Sequence, residues 1–187
     1  MSQALMNEFS LLCRLFGNLF YRQPTDPILA GTFAWLKAGN LAQHWPLATD
    51  SQSEKVLEHL AQGAEPQALE AAYQALFGQA GSVDSRLSSY GGELDAFIDF
   101  RSQRGMPALE EADHVALLLL TASWIEDNLD SLSAQQDFFA HFLLPLMGKF
   151  LGKVEAFDMG FYKALAQLTR DALAAMADEL EETTETI

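Results

Sequence analysis

Apolar residues recur every three or four positions along most of this chain, and that spacing predicts a succession of helices. Phe9, Leu12, Cys13, Phe16, Leu19 and Phe20 share one face of a helix over about Ala4 to Tyr21. Gln23-Pro24 ends it. Asp26 is placed to cap a second helix, with Pro27 at the first helical position. That helix runs to Ala38 and stops at Gly39-Asn40. Ser51 or Ser53 caps a third, which closes at Gly63. A fourth begins at Pro66, carries Leu69, Tyr73, Leu76 and Phe77, and ends at Gly78.

The pattern then breaks. Residues 78–92 contain four Gly and four Ser, and an irregular stretch of that length in a helical domain is commonly functional or mobile. A fifth helix spans about Glu93 to Arg104, and a sixth runs from near Glu110 to Asn128. Val115 to Ala122 is apolar on all sides, so the sixth helix, near residues 111–128, is expected at the buried centre of the fold. Ser133 caps a seventh helix, which Pro145 kinks or ends. Gly148 and Gly152 punctuate a short eighth. Asp158 caps the last helix, over Phe161 to about Leu180, and the acidic tail of about 181–187 is expected to fray. No repeat or linker divides the chain, which reads as a single domain over 1–187.

Composition sharpens the fold class to all-α. Leu occurs 30 times, against four each of Val and Ile. Leu loses little rotamer freedom in a helix, whereas β-branched residues favour strands. The formal net charge is -15. Such a surface repels phosphate backbones and anionic membranes, so no nucleic-acid partner and no stable membrane insertion are expected. It would steer a cationic ligand or basic peptide towards itself, although the simplest reading of the acidity is solubility. The lone Cys13 sits in an apolar stretch and reads as a small core residue. The N-terminus lacks the features of a signal peptide, and the longest apolar run, Val115 to Leu120, is far shorter than a membrane span. Cytoplasmic residence is the expectation.

The usual catalytic and phosphate-binding motifs are missing, the four histidines are scattered, and no cofactor is implied. Two constellations stand out. Glu110-Glu111-Ala112-Asp113-His114 opens the predicted central helix. The residues read as a helix cap, as an acid–base or metal pair, or as hydrogen-bond partners for a peptide in a groove. Neighbours on a helix point about 100° apart, which suits a shared chelate poorly. Tyr73, Leu76 and Phe77 share a helical face. They read as core, or, with Tyr90 from the loop, as the wall of an apolar peptide groove.

The order of features resembles the TorD/DmsD/NarJ family of redox-enzyme maturation chaperones. The segments that carry the likeness are Tyr73-Gln74-Ala75-Leu76-Phe77-Gly78, Gly105-Met106-Pro107, and Ala112-Asp113-His114 leading into Leu117 to Trp124. Leu144-Pro145, Phe150 to Glu155, and Phe161 to Ala166 follow. Leu168-Thr169-Arg170-Asp171-Ala172 and the acidic ending 178–182 are closest to the YcdY-type branch. The resemblance implies an all-helical TorD-like domain. It also implies a cytoplasmic chaperone without chemistry of its own, which binds a client metalloenzyme precursor. The client is typically a molybdenum oxidoreductase, held through its twin-arginine signal peptide. The family's client-peptide-binding positions fall on Tyr73, Leu76, Phe77, Ser88, Tyr90, Asp113 and His114. One segment departs from the family, whose members often carry prolines before the loop aromatic. Here residues 83–90 contain none, and Arg86 adds a positive charge.

Three other readings stand beside this one. The client could be a non-exported enzyme such as a zinc-dependent phosphatase. The chain could be a metal-dependent enzyme using Asp113, His114 and Glu110 or Glu111. It could also be a constitutive partner subunit. A monomer or a domain-swapped dimer is expected, the latter through the long loop.

Overall fold

A computed structural model describes residues 3–185, and the side chains of residues 8–182. The described residues form helices and turns only. Ten α-helices follow in order: α1 (Gln3–Tyr21), α2 (Ala30–Lys37), α3 (Asn40–Gln43), α4 (Ser51–Gln62), α5 (Pro66–Phe77), α6 (Leu94–Gln103), α7 (Leu117–Asn128), α8 (Leu132–Phe138), α9 (Leu144–Phe157) and α10 (Phe161–Glu185). The all-α architecture expected from the Leu-rich composition is what the chain adopts.

Helix α7 is the centre. Leu117, Leu118, Leu119, Thr121, Ala122, Ser123 and Ile125 are all buried, as its all-round apolar sequence requires. Helix α1 lies along it. Their approach is close at Gly17, where a Cβ would stand 2.8 Å from Leu120 Cδ2 and 3.2 Å from Leu119 Cβ. A small polar seam joins the same two helices. Ser10 Oγ lies 3.0 Å from Ser123 Oγ and donates to Asp127 Oδ1 at 2.7 Å, and Arg14 pairs with Asp127. Helix α10 packs on α9, α4 and α1. Phe97 and Phe100 of α6 pack, with tilted rings, against Phe138 of α8 at 6.3 and 5.3 Å. Buried residues from both sides of the 78–92 stretch form one contiguous core.

Several local boundaries differ from the sequence pattern, each for a physical reason. The central helix begins at Leu117, seven residues after Glu110, because the backbone before it is engaged elsewhere. Val115 N donates to Ser85 O at 2.7 Å, and Ala116 N donates to His114 Nδ1 at 3.1 Å. Asp50, not Ser51 or Ser53, caps α4, accepting from Ser53 N at 2.8 Å. Ser131, not Ser133, caps α8 through Ala134 N. Pro27 opens a 3-10 turn, Pro27–Leu29, before α2 begins at Ala30. Pro145 does not end the helical path. A π-helical segment, Phe139–Leu143, widens the turn ahead of it, and Pro145 enters in the first turn of α9, where its missing N–H costs little. Gly148 and Gly152 consequently lie inside α9. Asp158 does cap the last helix, accepting from Gly160 N and Lys163 N. That helix continues past Leu180 to Glu185, and the remainder of the tail lies outside the described residues.

Candidate functional site

The 78–92 stretch is irregular but anchored. Ser82 N and Val83 N donate to Ala75 O and Leu76 O, folding the chain back on the end of α5. The turn needs glycine at 81, where a Cβ would sit 2.3 Å from Leu76 O. Val83, Leu87 and Tyr90 are buried, and Leu87–Tyr90 forms a 3-10 turn. Tyr90 O–H donates to Asp84 O, its ring packs edge-on against Phe150 at 6.0 Å, and Lys149 Nζ donates to Tyr90 O at 3.0 Å. Burial pushes the Tyr90 phenol up to about 12, with Asp84 adding to the effect, so it stays a donor at any ordinary pH.

This anchoring brings Ser88 to Asp113. Ser88 N donates to Asp113 Oδ1 at 3.0 Å, and Ser88 Oγ to Asp113 Oδ2 at 2.7 Å. Both carboxylate oxygens are thereby oriented, and each keeps accepting capacity, since a carboxylate offers about four lone-pair sites. Asp113 has no ion-pair partner within 4.0 Å among the described residues. The nearby cation, Arg86, is forked onto Asp84 instead, with Nε–Oδ1 at 3.1 Å and Nη2–Oδ2 at 2.7 Å. That fork holds the Asp84 carboxyl well below the usual range, through its hydrogen bonds to the Arg86 side chain and backbone. Asp113 still contributes to the field that favours the charged Arg86.

His114 follows directly but has a different job. Its Nδ1 accepts the Ala116 amide, so a neutral ring carries its proton on Nε2. Burial lowers its pKa to about 4, against a smaller opposing pull from Asp113, so the ring is neutral at pH 7. Tyr21 packs edge-on against it at 4.9 Å. His114 therefore acts as the side-chain cap that leads into α7, and Asp113 is released from capping to hold Ser88. No three His, Cys, Asp or Glu groups are clustered to bind a metal ion among the described residues.

The three positions on α5 are not equivalent. Tyr73 and Leu76 are core side chains, 7% and 3% exposed. Tyr73 O–H donates to Tyr21 O at 3.3 Å, and burial pushes its phenol up to about 12. Phe77 is only partly buried, and packs against Phe20, Tyr73, Phe150 and Tyr162 at 5.3–6.3 Å. Tyr90 is interior as well, at 6%. Of the seven positions singled out in the sequence, Phe77, Ser88, Asp113 and His114 retain side-chain surface, while Tyr73, Leu76 and Tyr90 support them from beneath. The sequence does not mark Tyr21 or the Asp84–Arg86 fork as neighbours of this site. Nothing in the pattern places Tyr21, the last residue of α1, against His114.

Comparison with known proteins decides the family. The chain is 44% identical over 187 residues to the chaperone protein YcdY of Escherichia coli, covering 96% of this chain and 100% of that one. It belongs to the TorD/DmsD family, in the YcdY branch. An uncharacterized protein of Haemophilus influenzae is 54% identical over 183 residues, covering 97% of this chain and all of its own. A probable Tat proofreading chaperone DmsD of the same species is 29% identical over 184 residues, covering 89% of each. No family model matches the chain. The named relatives are chaperones and not enzymes. No helix among the described residues is long and apolar enough to cross a membrane.

Proposed function

We propose that this chain is a cytoplasmic chaperone that holds a client metalloenzyme precursor, a molybdenum oxidoreductase, by its twin-arginine signal peptide during cofactor loading. One observation carries the reading: Asp113 presents a carboxylate oriented by two Ser88 donors, with no ion-pair partner of its own among the described residues. A guanidinium needs two parallel acceptors held in this way. Phe77 and the His114–Tyr21 pair offer apolar and aromatic surface for the residues that follow the arginines. The chain's charge of -15 attracts a cationic segment before contact. The name of the DmsD relative, a Tat proofreading chaperone, supports the same client class.

Calorimetric titration with a twin-arginine peptide tests this. Asp113→Asn is expected to weaken binding by about tenfold, the equivalent of losing about 1.4 kcal/mol of charge-assisted hydrogen bonding. An unchanged affinity, with the variant folded, refutes the role of Asp113.

A second reading has its own support. Arg86 sits close enough to Asp113 to share its field, and an incoming arginine would meet it. This favours a client that lacks the twin-arginine segment, such as a non-exported zinc-dependent phosphatase. Capture from native extract with wild type and Asp113→Ala/Phe77→Ala separates the two. A precursor retained by its signal peptide supports the first, and a signal-less metalloenzyme supports the second.

A further inference from the structure

The basic residues of this acidic chain are almost all spoken for. Of 11 Lys and Arg side chains, eight meet an acceptor oxygen. Arg14, Arg22, Lys37, Arg86 and Arg170 pair with carboxylates. Arg101 donates to Thr121 Oγ1 and Pro107 O, Arg104 to Phe100 O, and Lys149 to Tyr90 O. Among the described residues the three without such a partner are Lys55, Lys153 and Lys163, and two of these line one cavity.

That cavity, about 240 Å³ and open to solvent, lies in the groove between α4 and α10. Gln52, Lys55 and His59 reach it from α4, at spacings of three and four that place them on one helical face. Lys163 and Gln167, also four apart, reach it from α10. The polar side chains of the lining, beside Val56, Met159 and Ala164, are thus two ammonium groups, an imidazole and two primary amides, all of which can donate hydrogen bonds. The Gly160 and Lys163 backbone amides are already taken by Asp158, so the donors are side chains and not the helix end. Asp50 and Asp171 repel one another, and neither forms an ion pair with Lys55 or Lys163. In a chain with 26 acidic residues, Lys55 and Lys163 are two cations on one groove without an ion pair among the described residues.

We infer that the α4–α10 groove, through Lys55, His59 and Lys163, is a binding site for a phosphate group, either free or carried on a small ligand. An oxyanion, with several acceptor lone pairs, can accept from all three donors. The Asp158 carboxylate, held by the Gly160 and Lys163 amides, is the negative charge beside which such an anion would bind. The site shares no residue with the Asp113 surface and does not depend on the client proposed for it.

The test is an amide-resolved NMR titration of the full chain with inorganic phosphate, at ionic strength held constant with sodium chloride. Saturable shifts at Lys55, His59, Gly160 and Lys163 are expected, with a Kd on the order of millimolar for so open a site. Lys55→Gln/Lys163→Gln, confirmed folded by circular dichroism, should weaken binding by about tenfold or more. Parallel titrations with glycerol phosphate and pyrophosphate tell free phosphate from a carried group, and either result supports the site. A linear response, an equal response to chloride, or an unaltered double variant overturns it. Saturation by a glutamate-rich peptide with none by phosphate also overturns it, in favour of an acidic polypeptide.

Discussion

Glu126 on α7 gives the sharpest test of the core. Its Oε1 is sealed from solvent, with no hydrogen-bond partner among the described residues. The group faces a small cavity lined by Phe9, Ile125, Gln135, Phe138, Phe139 and Met176. Burial, and then repulsion from Asp127, push its carboxyl up to about 7. The folded state therefore holds this proton more tightly than the unfolded chain, where Glu titrates near 4.5. The sign follows: the contribution to stability is fully present below about pH 4.5 and is lost as pH rises through about 7. A displacement of that size caps the effect at about 3 kcal/mol. The residue is partly exposed, so screening brings it to about 1–2 kcal/mol. Glu126→Gln keeps the shape and removes the charge. It should leave the melting temperature unchanged near pH 4 and raise it by about 2–8 °C near pH 8, given about 2–4 °C per kcal/mol for a domain of this size. Thermal unfolding followed by circular dichroism across that range reads the difference, and the titrations of the other carboxylates cancel between the two proteins. A gain that is the same at every pH, or a loss at pH 8, would refute the argument that a buried charge is the cause.

Other outcomes follow from the same structure. Ser88→Ala removes one donor from Asp113 and should weaken arginine-peptide binding several-fold while shifting the melting temperature by less than about 2 °C, the two being measured by calorimetry and thermal unfolding. Arg86→Gln takes away the competing cation and should tighten the same peptide about two- to five-fold at low salt, with the gain shrinking as salt is added. Leu118→Ala, at a fully buried position on the central helix, should cost about 2–5 kcal/mol in a denaturant titration. Tyr73→Phe loses the hydrogen bond to Tyr21 O and should cost about 1 kcal/mol by the same assay.

The helices are legible in the sequence because the signals for them are local. Apolar spacing marks α1, α5 and α10, and Leu enrichment marks α7 as buried. Helix starts are harder to read, since a cap is chosen by competition among neighbours. Asp50 wins the cap of α4 over Ser51 and Ser53 because its carboxylate reaches both Ser53 N and Ser53 Oγ, at 2.8 and 2.9 Å.

The start of α7 is hidden for a different reason. Glu110, Glu111 and Asp113 have the composition of a helix's first turn, but Asp113 is drawn to Ser88, 25 residues earlier, and Val115 N to Ser85 O. Contacts that distant in sequence leave no periodic trace. The same holds for Pro145, whose effect on the chain depends on the π-helical turn placed ahead of it.

The site and the core share residues, and this determines how mutations must be read. Tyr90 is held by Phe150 and Lys149 of α9, and its hydroxyl fixes Asp84, which in turn holds Arg86 away from Asp113. Tyr73 ties α5 to the end of α1, where Tyr21 meets His114. Substituting either tyrosine therefore changes the position of the surface as well as the stability of the fold, and a loss of client binding there does not identify a contact. Phe77 and Asp113 are the informative positions, because both keep side-chain surface. If binding falls on Asp113→Asn without a change in melting temperature, the carboxylate touches the client. If binding falls only in proportion to stability, the residue acts by holding the 78–92 stretch in place.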